Sequence, residues 1–225
     1  MSKFLSDLAT RFTAFRRFNY DSALSDYKSL AKGQSPETLV IACIDSRVTP
    51  ESLFGAGPGE ILVARNIANL VPPYEHVQKH AERHGVSAVV EFAVQNIGVK
   101  NIVVLGHSAC GGIQACLNHD PAKRDTTSFV SGWVSILEEP RERVLSCTSI
   151  DSGAALERAG IQQSLENLRS FPFVCAAEDA GKLALYGAHF DIGRGLLSTL
   201  DEKTGLFSPL PLKAGLPDRR AASTG

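Results

Sequence analysis

Two short pairs carry the side chains best suited to chemistry. Cys43 and Asp45 flank a single residue, and His107 and Cys110 are separated by two. Thiolate and imidazole donors at such spacings suit one borderline-soft divalent cation, and zinc takes them in tetrahedral geometry with a carboxylate or water completing the set. Arg47 stands two residues beyond Asp45 and can hold that carboxylate by a bidentate charge-assisted contact. An aspartate gripped in this way is drawn off the metal, which leaves a corner open for water and turns a closed structural site into a catalytic one. The plainer reading of Asp45 and Arg47 is a surface ion pair.

Both pairs follow apolar runs that read as strands. Leu39–Ala42 precedes Cys43, and Ile102–Leu105, with three β-branched residues among its four, precedes His107. Gly106 ends the second run, and Gly111 and Gly112 lead into a helix start at Ile113. Loops at the carboxyl ends of strands are where open α/β sheets build their sites. The two loops meet only if the first and third strands are neighbours in a parallel sheet.

The intervening chain supports that arrangement. Thr49 and Pro50 read as N-cap and first residue of a short helix, and Ile61–Ala64 as a second strand. Val86, Val89, Val90, Ala93, Val94 and Ile97 share one face of a helix closed by Gly98, which completes a parallel crossover into the third strand. Further helices are expected around Phe129–Leu137, broken by Pro140 from a piece at Arg141–Leu145, and from Ile161 to Pro172. Phe173-Val174 and Leu183–Tyr186 read as strands, and Gly195–Leu200 as an edge strand. Upstream, Leu5, Leu8, Phe12 and Phe15 form an apolar stripe on a helix over 2–18, followed by a second helix over Tyr20–Ala31. The expectation is an α/β fold with a mainly parallel central sheet of four to five strands flanked by helices. Residues 1–208 form one domain, 1–32 of them a helical arm, and 209–225 a mobile tail rich in Pro, Gly, Ser and Ala.

The near-neutral charge of −1 and the lack of a basic stripe speak against nucleic acid as partner. No apolar run approaches a membrane span. Arg11, Arg16 and Arg17 beside Phe4, Phe12 and Phe15 have some look of a transit peptide, but Asp7 and Asp21 favour a docking helix. Five scattered cysteines are an odd number and no disulfide framework. They fit a cytoplasmic chain in which Cys116, Cys147 and Cys175 are buried thiols.

With these residues assembled, the chain resembles the β-class carbonic anhydrases, most of all the plant-type branch. The resemblance rests on C-I-D-S-R at 43–47, P-G-E at 58–60, R-N-I-A-N-L-V-P-P-Y at 65–74 and G-H-S-A-C-G-G at 106–112. A-K-G-Q-S-P at 31–36 and the pattern Leu185, Gly187, Asp191 fit as well, so it spans roughly residues 20 to 200. It implies zinc held by Cys43, His107 and Cys110, with Asp45 as a possible fourth ligand at rest and Asp45 with Arg47 as a gating dyad. It further implies a substrate hydrogen bond from Gln34 across a subunit boundary, pocket walls from Leu62, Ile67 and Phe92 beside Gly111 and Gly112, and a homodimer or higher homo-oligomer. The implied activity is reversible hydration of CO2 to bicarbonate by zinc-hydroxide attack. Phe92 stands where plant-type members often carry Tyr, and Val40 where bicarbonate-inhibited bacterial members carry Trp.

Other readings remain beside it. Hydrolysis of carbon disulfide or carbonyl sulfide would use the same metal set, and a zinc-stabilised binding protein would keep Asp45 on the metal. Ser108 in a near nucleophile-elbow setting would need partners such as Asp179 and His189. His76, His80 and His84 recur every four residues and read as a solvated helix face, although one of them, or His189, could relay protons.

Overall fold

The computed structural model describes residues 2–21, 27–74, 85–118, 128–147 and 151–213. A six-stranded sheet runs in the order β2-β1-β3-β4-β5-β6. The strands are β1 (Thr38–Cys43), β2 (Leu62–Asn66), β3 (Asn101–His107), β4 (Ala184–Asp191), β5 (Leu196–Asp201) and β6 (Leu206–Pro209). The first four pair in parallel, and β5 and β6 add antiparallel hairpins at one side. The sheet thus has one strand more than expected, and β5 is not its edge. The short, exposed β6 shows no alternation to betray it, and it is carried by a turn in which Gly205 donates to Asp201 O at 2.8 Å. Pairing reaches into the expected tail, since the Leu210 N–H donates to Leu197 O at 2.7 Å. The rest of the proposed tail, from 214 on, lies outside the described residues.

Period-two alternation sorts the strands' side chains into two layers. Leu39, Ile41, Ile102, Val104 and Leu185 pack with Val90, Ala93, Ile161, Leu165, Leu168 and Val174. These come from α4 (Gly85–Glu91) and the π-helical turn Phe92–Ile97 that continues it, and from α8 (Ser152–Arg169) and α9 (Pro172–Asp179). Val40, Ala42, Leu105 and Ala188 face the other way, against Val48 and Leu53 of the loop and helix α3 (Pro50–Phe54). A third cluster sits at the carboxyl end of the sheet. There Cys43, Ala68, Leu70 and Cys110 pack with residues of α5 (Gly111–Leu117), α6 (Phe129–Val134), α7 (Glu138–Leu145) and α8.

Three local expectations are corrected. Phe173-Val174 lies in α9, not in a strand, because Pro172 occupies the first helical position and Phe173 and Ala177 share a core-facing side. Pro140 does not break a helix. It sits in the first turn of α7, where its missing N–H is an orphan anyway, and the interruption is the 3-10 turn Ser135–Leu137. Cys147 and Cys175 are exposed, whereas Cys116 is buried.

The N-terminal arm begins with α1 (Lys3–Phe15), capped by Ser2, whose side chain accepts from Leu5 N–H. None of its residues is buried, and its apolar stripe faces solvent. A π-helical turn over Arg16–Tyr20 follows, so Tyr20 does not begin the second helix; α2 is described only over Tyr27–Leu30, and 22–26 lie outside the described residues. Phe15 meets the Tyr27 ring edge-on at 5.6 Å.

Candidate metal centre

β1 and β3 are adjacent and parallel, with Ala42 opposite Leu105, so their carboxyl ends deliver Cys43 and His107 side by side. The turn after β3 then brings Cys110 back as the residue preceding α5. The two sulfurs stand 3.8 Å apart, and one donor atom from each of Cys43, His107 and Cys110 lies within 4.8 Å of the others, all buried. His107 Nδ1–H donates to Ser108 O at 2.9 Å, which leaves the Nε2 lone pair available. That Nε2 is buried and, among the described residues, has no hydrogen-bond partner. An orphaned imidazole nitrogen beside two sulfurs is costly on its own, and a borderline-soft divalent cation would satisfy it. The donor set fits zinc.

The electrostatics agree. The Cys43 thiol is lowered to about 4, first because Cys110 donates to it, against the opposing cost of burial and with help from His107. Cys110 is pushed up by the same contact and by burial, and a cation bound between the sulfurs would displace their protons. His107 is raised: burial opposes its charge, but the Cys43 sulfur and the Ser108 carbonyl outweigh it.

Asp45 stands at the rim. Arg47 grips both its oxygens, Nε–H donating to Oδ1 at 2.9 Å and Nη2–H to Oδ2 at 2.7 Å, and the Arg47 amide adds a third bond at 2.9 Å. These contacts hold the carboxyl well below the usual carboxylate range. Oδ2 lies 4.0 Å from His107 Nε2, beside the donor triangle rather than within it. Arg47 also donates to Ala109 O at 3.0 Å and so ties the two site loops together. A cleft of about 280 Å³ opens here, lined by Cys43, Ile44, Asp45, Ile67, Gly111, Gly112, Ala115 and Val130.

The family model described as carbonic anhydrase matches residues 38–197. The chain belongs to this family. It is 39% identical over 189 residues to beta carbonic anhydrase 5, chloroplastic, of Arabidopsis thaliana, a match covering 82% of this chain and 61% of that protein. The chain therefore spans less than two thirds of that relative. Among solved structures it is similar to the beta-carbonic anhydrase CcaA, with a TM-score of 0.80 at 28% identity, covering 92% of this chain and 100% of that one. It is also similar to a tetrameric beta-carbonic anhydrase of Sordaria macrospora, with a TM-score of 0.68 at 27% identity and coverage of 91% and 96%. These place it in the β class, plant type.

Within this carbonic anhydrase chain the residues expected at the site divide in two. Cys43, Asp45, Arg47, Ile67, His107, Cys110, Gly111 and Gly112 converge. Leu62 and Phe92 instead line a separate apolar groove with Leu39, Val63, Ala88 and Val89, and Gln34 is exposed in the loop before β1, outside the site cleft. Among the described residues Ser108 has no triad: its Oγ accepts from the Ile192 N–H at 2.9 Å, while His189 pairs with Glu157 and Asp179 with Cys175. His76, His80 and His84 lie outside the described residues.

Sequence reasoning passed over two supports of the site. Arg65 clamps the loop after β1, donating to the carbonyls of Cys43, Asp45 and Val48 at 2.9, 2.6 and 3.0 Å. Glu157 stands behind Cys110. Its burial was legible, since it shares the core face of α8 with Ile161 and Leu165 as a charged residue in an apolar stripe, but its partners were not.

Proposed function

We propose that the chain catalyses the reversible hydration of CO2 to bicarbonate and a proton, with zinc held by Cys43 Sγ, His107 Nε2 and Cys110 Sγ. Zinc held there would supply Lewis acidity that activates a bound water for attack on CO2. The observation that carries the reading is the engagement of Asp45 with Arg47: the carboxylate is held by the guanidinium and stands beside the three donors, so it would leave room for a water if zinc were bound. A non-catalytic zinc protein would use Asp45 to close the set.

The chain's own residues then have distinct tasks. Asp45, kept ionised by Arg47, is an acceptor only and can orient a donor group at the rim of the triangle. Ile67, Ala115 and Val130 give the cleft an apolar side suited to a small uncharged gas, and Gly111 and Gly112 line it as well. Gln34, exposed in its own chain, is proposed to reach the cleft of a neighbouring copy. A homo-oligomer, dimer or larger, is supported by the uncovered apolar stripe of α1 and by the tetrameric Sordaria relative. Cysteines without disulfides support a reducing, cytoplasmic setting, which localisation of the tagged full-length chain tests.

Metal analysis combined with stopped-flow CO2 hydration at pH 7 and pH 9 tests the activity. Zinc stoichiometric with the chain and hydration at pH 9 are expected. Zinc without hydration at either pH overturns the reading in favour of a binding protein.

A further inference from the structure

Behind Cys110 lies a buried acid–imidazole pair that the chemistry proposed above does not use. Glu157, 5% exposed on α8, places Oε2 3.0 Å from Nε2 of His189, which is 6% exposed on β4. Its other oxygen, Oε1, accepts the backbone N–H of Cys110 at 3.4 Å. Two positions without side chains bring these groups together. A Cβ on Gly106 would meet Ile161 Cδ1 at 2.7 Å, and one on Gly187 would meet Ile161 Cγ2 at 2.9 Å. α8 therefore rests directly on β3 and β4, and Glu157, one turn before Ile161, reaches the loop beyond the carboxyl end of β3. The β3–β4 register sets His189 opposite Gly106, next to the strand that ends in His107.

The loop needs such a hold. Ala109 is in the left-handed region at φ 54, a costly conformation for a residue with a Cβ. Its neighbours are pinned: Ser108 N–H donates to Phe190 O at 3.0 Å, and Ala109 O accepts from Arg47 at 3.0 Å. For the Cys110 N–H the partner is Glu157.

We propose that Glu157, anchored by His189, is a positioning residue for the metal centre. Its carboxylate holds the Cys110 amide and so sets the direction of Cys110 Sγ. A buried carboxylate with one oxygen on an amide and the other on an imidazole has little freedom to turn, which makes it a precise support. Partners that orient a metal ligand typically change metal affinity by about 10–100-fold when removed. The inference rests on the zinc reading above and adds residues from α8 and β4 to it.

The test uses the full-length zinc protein and three measurements. These are the zinc dissociation constant by competition with a chromogenic chelator, the thiolate-to-metal charge-transfer band after cobalt substitution, and the melting temperature of the metal-free chain. Glu157→Ala should weaken zinc binding by about 10–100-fold and shift the cobalt band. Glu157→Gln, which keeps an oxygen for the amide, should recover most of the affinity. An Ala variant that melts lower without metal yet keeps the wild-type dissociation constant and band has lost only a structural contact, and that overturns the proposal. If Glu157→Ala does not fold, His189→Phe takes its place, since it keeps the carboxylate and removes the anchor. A shifted band with weaker zinc binding supports the role, and wild-type values overturn it. A wild-type chain that binds no zinc sinks the metal reading itself, a result distinct from equal binding by wild type and variant.

Discussion

Arg47 holds both oxygens of Asp45, and the held carboxylate stops 4.0 Å short of His107 Nε2. The pair is local in sequence, yet Arg47 also reaches Ala109 on the other loop. Removing the guanidinium frees the carboxylate to turn into the donor triangle and occupy its open corner. Arg47→Ala should therefore keep its zinc and lose CO2 hydration by about 10²-fold or more, the scale of losses that follow small misplacements at a reacting centre. Metal content beside stopped-flow rates checks this, and a variant with wild-type hydration would show that the grip has no catalytic bearing.

The same pair has a pH signature in stability. Asp45 is lowered from its ordinary 3.8 by Arg47, so between the two values the unfolded chain binds a proton that the folded chain has shed. The contribution is fully present above about pH 4 and is lost as pH falls through the lowered folded-state value. The melting-temperature deficit of Asp45→Asn should thus be constant from pH 5 to 8 and shrink below pH 4. A deficit unchanged down to pH 3 would mean that the charge adds nothing to the fold.

Catalysis should respond at the other end of the scale. Three neutral imidazoles on zinc give a bound water a pKa of about 7, but the two thiolates here would cancel the ion's formal charge and leave a bound water less acidic. Hydration should rise from pH 7 to pH 9. Because Asp45 is ionised across this range, it does not shape the rise. A flat profile between these values would count against the Cys43, Cys110 and His107 donor set.

How far the sequence carried varied with the kind of information required. The donors were readable because each lies at the end of an apolar strand and the spacing within each loop is covalent. Only the adjacency of β1 and β3 had to be supplied, and one parallel order did so. Leu62 and Phe92 were expected as pocket walls but within this chain line another groove, because Leu62 pairs with Leu39 at the amino-terminal start of β2 and Phe92 lies beside them, whereas the donors stand at the strands' carboxyl ends. Phe173-Val174 misled because two apolar residues carry no period, whereas Pro172 carried the decisive local signal. The Glu157 support joins a helix, a strand and a loop, and such a meeting depends on the approach of α8 at Gly106 and Gly187, which no local pattern encodes.

That close packing extends to Gly112. A Cβ there would meet Ile67 Cγ2 at 2.6 Å and Ala68 Cβ at 2.9 Å, and Ala68 is itself in the left-handed region at φ 62. The turn has little room to yield, and Trp133 Nε1–H further pins Ile67 O at 2.8 Å. Gly112→Ala should destabilise by about 1–3 kcal/mol, as overpacking does, and displace the start of α5 beside Cys110. Lower zinc occupancy together with a lower melting temperature is expected. Wild-type values for both would show that α5 moves aside at no cost.

The arm at the other end of the chain makes the last demand. α1 has 13 residues, none buried, with Phe4 71% and Phe12 58% exposed beside half-exposed Leu5 and Leu8. A helix this short is marginal in water without an apolar surface to lie on, and among the described residues its Phe15 ring meets the Tyr27 ring. A second copy is the natural surface, and Gln34 lies just beyond the arm. Leu8→Glu with Phe12→Glu should therefore lower the sedimentation mass at fixed concentration and weaken hydration, since Gln34 is proposed to serve the neighbouring cleft. Zinc content should stay near wild type, because the three donors belong to one chain. An unchanged mass would mean that the stripe does not hold the copies together.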